Sequence, residues 1–436
     1  MIRVLFAACL ALVTALPASA VEIREVTSPG GIKAWLVEEH SIPFTALELR
    51  FKGGTSLDQP GKRGATVLMM GLLEEGAGDL DSQGFAEARD ALAAQFSFDA
   101  HDDAVSISAR MLSENRGEAV ALLKTALTEP RFDDDAVARV KAQVVSIIQS
   151  DEKDPNTIAA RSFDGLAFGD HPYGTSRNGT IDSMAALTRD DLIAAHAGVL
   201  ARDRVYVSAV GDITEAELGA LLDDLLGGLP ETGAPMPARA ELGLTGGVTV
   251  IDFASPQSVV TFGHGGIKRD DPDFFTAYVL NQILGAGGFG SRLMDEVREK
   301  RGLTYGIYTY LAPMDLAETW QGGFSSANEK VAEAIEVVRA EWARMVADGV
   351  TEAELEAAKT YLTGSYPLRF DGNGPIADIL VGMQIEELPT SYVNDRNAYI
   401  EAVTLDDIRR VAVRLLKPED LRFVVVGRPV GLEASN

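Results

Sequence analysis

Cysteine is almost absent from this 436-residue chain. The single one is Cys9, inside an N-terminal leader. The remainder can hold no disulfide, no thiolate metal ligand and no cysteine nucleophile. Histidine is scarce too: His40, His101, His171, His196 and His264, the closest two 25 apart. A helical zinc pair needs imidazoles four residues apart, so that both project from one face toward one ion. No such pair exists, and no G-x-S-x-G nucleophile elbow is present. Each lone histidine suits a structural or surface role. Cations are outnumbered, with Lys+Arg 39 against Asp+Glu 65 and a formal net charge of -26. Nucleic-acid binding, which needs clustered cations, is excluded on that ground. Past the leader no apolar run is long enough to cross a bilayer, so no membrane anchor is expected in the mature chain.

The leader itself is informative. Residues 1–20 carry one cation, Arg3, then an apolar stretch from Val4 to Leu16, then Pro17 and the small-residue end Ala18-Ser19-Ala20. This is the pattern of a secretory signal with its cleavage site. Export without disulfides fits a bacterial periplasm.

The chain also repeats itself. Thr188–Gly211 and Thr404–Gly427 align without gaps at an offset of 216. Each has a Thr cap, two acidic residues in the first helical turn and an apolar strand ending in Gly. Two strands followed by a helix recur at 96–128 and 304–348. Two copies of one domain are therefore expected: an N-terminal domain over 21–229, a Pro/Gly-rich linker over 230–247 and a C-terminal domain over 248–436. Alternation of Leu47, Leu49 and Phe51 with Glu48, Arg50 and Lys52 predicts a half-buried strand over 45–52. Strand pairs on short turns, followed by runs of helices, indicate an α+β fold. Each domain would be a mainly antiparallel sheet with helices packed on one face.

Chemistry-bearing patterns are few. Gly285, Gly287, Gly288 and Gly290 fit G-x-G-x-x-G, but the apolar segment before them reads as a helix, not the strand that a dinucleotide site requires. They still permit an exposed backbone that another chain can approach closely. Next, Ser291–Gly302 reads as a capped helix and Thr304–Leu311 as a strand. Arg298 on that helix and Tyr305 at the head of the strand are one tight turn apart. A guanidinium there can hold a substrate carbonyl or carboxylate, and a phenol can donate to an oxyanion. The same residues equally suit a locally paired arginine and a tyrosine packed in the sheet.

The run from Gly287 to Tyr305, GGFGSRLMDEVREKRGLTY, within a duplicated α+β chain resembles the pitrilysin/insulinase family of zinc metallopeptidases, in its short, bacterial, processing-peptidase-like branch. Asp58–Gly64 (DQPGKRG), Asp154-Pro155, His171–Gly174 (HPYG) and Val210-Gly211-Asp212 extend the resemblance over essentially the whole mature chain. The resemblance implies an H-x-x-E-H helix after Gly64, with two His on zinc and Glu as general base. Val67 and Gly71 stand at those ligand positions, Met70 at the base, and Ile148 at the third ligand. None can bind zinc or move a proton, so no catalytic centre and no zinc are expected in this chain, which would not be a peptidase alone. Family members also carry an Arg and a Tyr seven apart in the second domain, and Arg298 and Tyr305 match that spacing. The implied function is a non-catalytic subunit of a heterodimeric periplasmic zinc endopeptidase. It would form half of a clamshell and supply substrate-binding and oxyanion-stabilising groups to a zinc-bearing H-x-x-E-H partner acting on a peptide substrate. The other implied role is a structural or peptide-binding scaffold of the same fold.

Overall fold

The computed structural model describes residues 22–432; the leader lies outside the described residues. The first half runs β1 (Arg24–Thr27), β2 (Lys33–Glu38), β3 (Phe44–Lys52), α1 (Ala65–Met70), the two-residue strands β4 (Gly76–Ala77) and β5 (Leu80–Asp81), and α2 (Ser82–Ala91). It continues with β6 (Gln95–Ala100), β7 (Ala104–Leu112), α3 (Arg116–Thr128), α4 (Asp134–Asp151), α5 (Pro155–Phe168), α6 (Ile181–Ala186), α7 (Arg189–Val199), β8 (Val205–Gly211) and α8 (Glu215–Leu226). The second half has β9 (Gly247–Asp252), β10 (Gln257–Gly265), α9 (Phe274–Asn281), β11 (Ile307–Met314), β12 (Ala317–Ala327), α10 (Val331–Asp348), α11 (Glu352–Ser365), α12 (Asn373–Ile385), α13 (Tyr392–Glu401), α14 (Leu405–Leu415) and β13 (Arg422–Gly427).

The five strands of one sheet match five of the six in the other, β1 being the extra edge strand. One is ordered β6-β7-β3-β8-β2-β1 and the other β11-β12-β10-β13-β9. In both, the only parallel pair is the closing strand against the second strand from the far end or its equivalent, β8 on β2 and β13 on β9. The aligned sequences form the same local structure. Thr188 caps α7 and Thr404 caps α14, and in each case the Asp three residues on returns the bond to the cap's N–H, at 2.8 Å from Asp191 and 3.1 Å from Asp407. This reciprocal pairing satisfies two of the donors a helix start leaves open.

Helices cover both faces of each sheet, which alternation in the strands does not predict. Within each half, helices bury one face in a large core. The other face is covered by a helix from the opposite half. Ala159, Phe163 and Ala167 of α5 pack on Val424 and Val426 of β13, and Ala377, Leu380 and Met383 of α12 pack on Ala46 of β3 and Val210 of β8. The strand read as half-buried is thus enclosed on both sides. Glu48, on its polar face, is buried, and its carboxyl is pushed up to about 7 by burial despite a 2.6 Å hydrogen bond from Ser108.

Residues 230–246 contain no helix or strand, yet they are fastened along their length. Ala234 donates its N–H to Gly198, Ala240 to Leu316, and Gly243 to Ala167. The segment therefore joins the halves as an ordered strap.

Because α5 and α12 each belong to one half by sequence and to the other by packing, neither sheet is complete alone. Phe163→Ala should cost about 3–5 kcal/mol and Leu380→Ala about 2–5 kcal/mol. Chemical denaturation of either variant should remain one transition, with the same midpoint from Trp35 in the first half as from Trp320 and Trp342 in the second. Separate midpoints would mean that the halves unfold independently.

Candidate functional site

The short motifs build structure. Asp58 accepts the Gly64 and Thr66 N–H groups at 2.9 Å and the Thr66 hydroxyl at 2.7 Å, closing the loop that starts α1. Burial raises its carboxyl even against these bonds. Arg63 binds Asp102 at 3.1 Å and the Pro172 carbonyl at 2.9 Å, tying the β6–β7 turn to the H-P-Y-G segment. The Tyr173 hydroxyl donates to Asp103 and accepts from the Leu316 N–H, which joins the hairpin turns of the two halves. Asp154 caps α5, the helix that crosses between them.

At the positions that correspond to a zinc centre, α1 lies in the core. Met70 is fully buried, Val67 is partly buried, and Gly71 ends the helix. A Cβ on Gly71 would sit 3.3 Å from Val140 Cγ1 of α4. The α4 side chain nearest Gly71 is thus Val140, and Ile148 lies about 12 Å further along the same face at 1.5 Å per residue. That face presents Ala136, Val140, Val144 and Ile148, all buried and apolar. Whichever of them occupies the third-ligand position, it offers no donor atom. The residues here do not fit zinc. Among the described residues no group of three or more His, Cys, Asp or Glu is placed to hold a metal ion.

Arg298 and Tyr305 have a different setting. Arg298 lies in a π-helical turn, Met294–Glu299. Tyr305 does not begin the strand, which starts at Ile307. It stands in the bend before it. The Thr304 hydroxyl explains the bend. It donates to the Ser325 carbonyl at 2.7 Å and accepts the Gly306 N–H at 3.1 Å, curling 304–306 away from β12. Tyr305 is consequently 87% exposed. Among the described residues its hydroxyl has no hydrogen-bonding partner. Arg298 donates to Glu299 at 2.8 Å, and its guanidinium lies 4.5 Å from the ring centroid of Phe289. Both residues border one groove of about 440 Å³.

Tyr305, Thr304, Gln257 and Ser325 also line a second groove of about 640 Å³ that continues from the first. One wall is α5, with Asn156, Thr157 and Arg161. The floor is the edge of the second sheet, with Tyr308, Tyr310 and Gln321. α5 covers only the middle of that sheet face, so β11 and β12 stay open beside it. Tyr308 stacks on Tyr310 with ring centroids 6.2 Å apart, and Tyr308 pairs across the strands with Gly323. A side chain at Gly323 would press on the Tyr308 ring, so glycine lets the ring lie over the strand. Tyr310 donates to Gln321 at 2.7 Å, and burial pushes its phenol up to about 12.

The glycine-rich loop divides in two. Gly285 is buried under Thr309 and Gly287 over the Gln282 carbonyl, where no side chain fits. They serve close packing, not an exposed backbone. Gly288 (φ +54°) and Gly290 face open space. Phe289 between them is 72% exposed and holds the Arg298 guanidinium. Sequence reasoning missed Phe289, Tyr308, Tyr310 and the α5 wall. An aromatic inside a glycine run was the available signal for the first. No local signal brings residue 157 beside residue 305.

The turn carrying Arg298 is anchored by Glu296, which accepts from Lys300 at 2.8 Å and Arg301 at 2.6 Å. These bonds hold its carboxyl at about 2, against an ordinary value of 4.5. The stabilisation is complete above about pH 4.5 and is lost as pH falls toward 2. Glu296→Gln should remove that part of the acid sensitivity, seen as a flatter melting temperature between pH 5 and 3. In the first half, Val67→His, Met70→Glu and Gly71→His together should cost more than about 2 kcal/mol, because Met70→Glu buries an unpaired carboxyl in the core. Zinc titration should show no tight site, because the buried face of α4 still offers only Ala136, Val140, Val144 and Ile148. Stoichiometric zinc with unchanged melting would contradict this.

Comparison with known proteins agrees with the geometry. Residues 186–362 match the family model described as the peptidase M16 inactive domain. The chain is similar to the non-peptidase homolog YmxG of Helicobacter pylori, 27% identical over 390 residues, covering 89% of this chain and 90% of that one. It is also similar to an uncharacterized zinc protease of Streptomyces coelicolor, 27% identical over 404 residues, covering 89% and 86%. Among solved structures, the peptidase M16 inactive domain protein from Pseudomonas fluorescens superposes with a TM-score of 0.88 at 30% identity, covering 95% of this chain and 100% of that one. With this fold and this likeness over nearly its whole length, the chain belongs to the peptidase M16 family.

Proposed function

We propose that this chain is the non-catalytic subunit of an exported, two-chain zinc endopeptidase, acting in the periplasm beside a zinc-bearing M16 subunit with H-x-x-E-H. It forms half of the clamshell, and the residues that act across the interface are Arg298 and Tyr305. The observation that carries this reading is the exposed Tyr305 phenol, without a partner in its own chain, on the rim of the groove that Arg298 also borders. A large aromatic held at 87% exposure by a dedicated Thr304 bend has no packing role of its own. Its chemical use is to donate to an oxyanion formed on peptide bound at the partner's zinc, while Arg298 orients a carbonyl or carboxylate of that peptide. Zinc belongs to the partner, since nothing at Val67, Met70, Gly71 or Ile148 can hold it. Peptide lies along the groove beside Tyr308 and Tyr310, and Gly288 and Gly290 leave backbone open to it.

Mixing this chain with its zinc-bearing partner should switch on peptide hydrolysis that neither shows alone. Tyr305→Phe should lower kcat by about 10²–10³-fold, as loss of one oxyanion donor does. Arg298→Ala should raise KM as well as slow turnover. Complex formation, checked by gel filtration, should survive both changes. Unaltered kinetics from both variants in an intact complex would instead leave a peptide-binding or structural scaffold.

A further inference from the structure

A second pocket, of about 350 Å³, shares no residue with the grooves around Tyr305 and lies where α9, α12, α13 and the turn Tyr366–Arg369 meet Arg50 of β3. Its electrostatics run against those of the chain. Four arginines, Arg50, Arg269, Arg369 and Arg396, line it against two carboxylates, Asp378 and Glu386, in a chain of formal charge -26. Asp378 is engaged by Arg50 at 2.5 Å. Glu386 stands at the exposed rim. Among the described residues, Arg269, Arg369 and Arg396 have no carboxylate within ion-pairing distance.

Arg396 is the telling one, because it is only 6% exposed. A buried guanidinium is costly unless it is paired. Its Nη1 donates to the Leu362 carbonyl at 2.8 Å and to Asn397 at 3.1 Å. Its Nε and Nη2 make no bond to protein, and neither is among the side-chain nitrogens sealed from solvent. Two donors of a fork that suits a carboxylate are therefore left toward the pocket. The fork is fixed in place by the Tyr366 ring, 4.4 Å from the guanidinium carbon. Across the pocket Arg269 is held the same way, 4.3 Å over Phe274 and bonded to the Tyr392 hydroxyl at 3.0 Å. The rest of the wall is apolar, with Phe275, Tyr278, Ile379 and Met383. Its volume is at the small end of the ~300–1,000 Å³ range of ligand pockets.

The geometry points to a binding site for a carboxylate carried on an aromatic or branched apolar group. Arg396 receives the carboxylate, Arg269 and Arg369 add positive charge, and the aromatic wall takes the apolar body. The carboxyl terminus of a peptide ending in such a residue and a free aromatic acid present the same chemistry.

Calorimetric titration of the full chain with N-acetyl-L-phenylalanine should show saturable binding with Kd on the order of 1 mM, the scale for so small a ligand. Its carboxamide should bind at least tenfold more weakly, and inorganic phosphate should compete only at tenfold or higher excess. Arg396→Lys keeps the charge but breaks the fork, and should weaken binding about tenfold. Arg369→Gln alters an exposed side chain that makes no bond, so its fold is safe, and it should weaken binding about threefold. A peptide ending in phenylalanine that binds more tightly than the capped amino acid assigns the site to a peptide terminus. Equal binding assigns it to a free acid, with the same chemistry retained. No saturable binding, equal binding of the amide, phosphate as potent as the acid, or two variants with unchanged affinity would each overturn the proposal.

Discussion

The reciprocal crossing of α5 and α12 is the constraint on which the rest depends. Each sheet has two faces to cover, and its own half supplies helices for one of them. The remaining face is closed by a helix whose sequence neighbours build the opposite sheet. Duplication alone would give two units in series. Exchange makes each unit the completion of the other. It also explains why Glu48 is buried with a raised carboxyl and why Asp154, a lone cap in sequence, begins a helix that crosses to the other sheet.

The same crossing creates the chemistry-bearing surfaces. α5 is narrower than the face it covers, so β11 and β12 remain open beside it and a groove forms with one wall from each half. α12 stands over β3, and where its far end meets α9 and α13 the arginine-lined pocket opens. Neither depression belongs to one copy of the repeat. Both are consequences of packing two copies together. The hairpin turns are fixed to each other by Tyr173, Asp103 and Leu316, which sets the position of α5 relative to β11.

The short motifs in this chain have mechanical roles, and the helix they position carries apolar side chains. Asp58 still closes the loop before α1, and Arg63 still ties that loop to the β6–β7 turn. The helix so positioned carries Val67 and Met70 against a valine- and isoleucine-lined α4. Met70 adds to the core, whereas an unligated Glu in its place would be a buried polar group without a partner. Arg298 and Tyr305, by contrast, contribute little to packing. Their placement rests on Phe289, Glu296 and Thr304, each of which holds one of them in a defined position.

Local sequence was sufficient for everything that local physics controls. The Thr-x-x-Asp caps of α7 and α14, the strand pairs and the two-copy repeat were all legible, because capping and periodicity are properties of a few adjacent residues. The Arg298–Tyr305 pair was legible as a spacing. Its exposure was not, since a strand beginning at Thr304 would have placed Tyr305 in the sheet, and only the bond from Thr304 to Ser325 turns it out. The alternation in β3 suggested a solvated face because periodicity records polarity and is blind to a helix arriving more than 320 residues later. Which faces are covered, which are left open, and which arginines lack carboxylates depend on contacts between segments far apart in the chain. Those were decided by the tertiary structure alone.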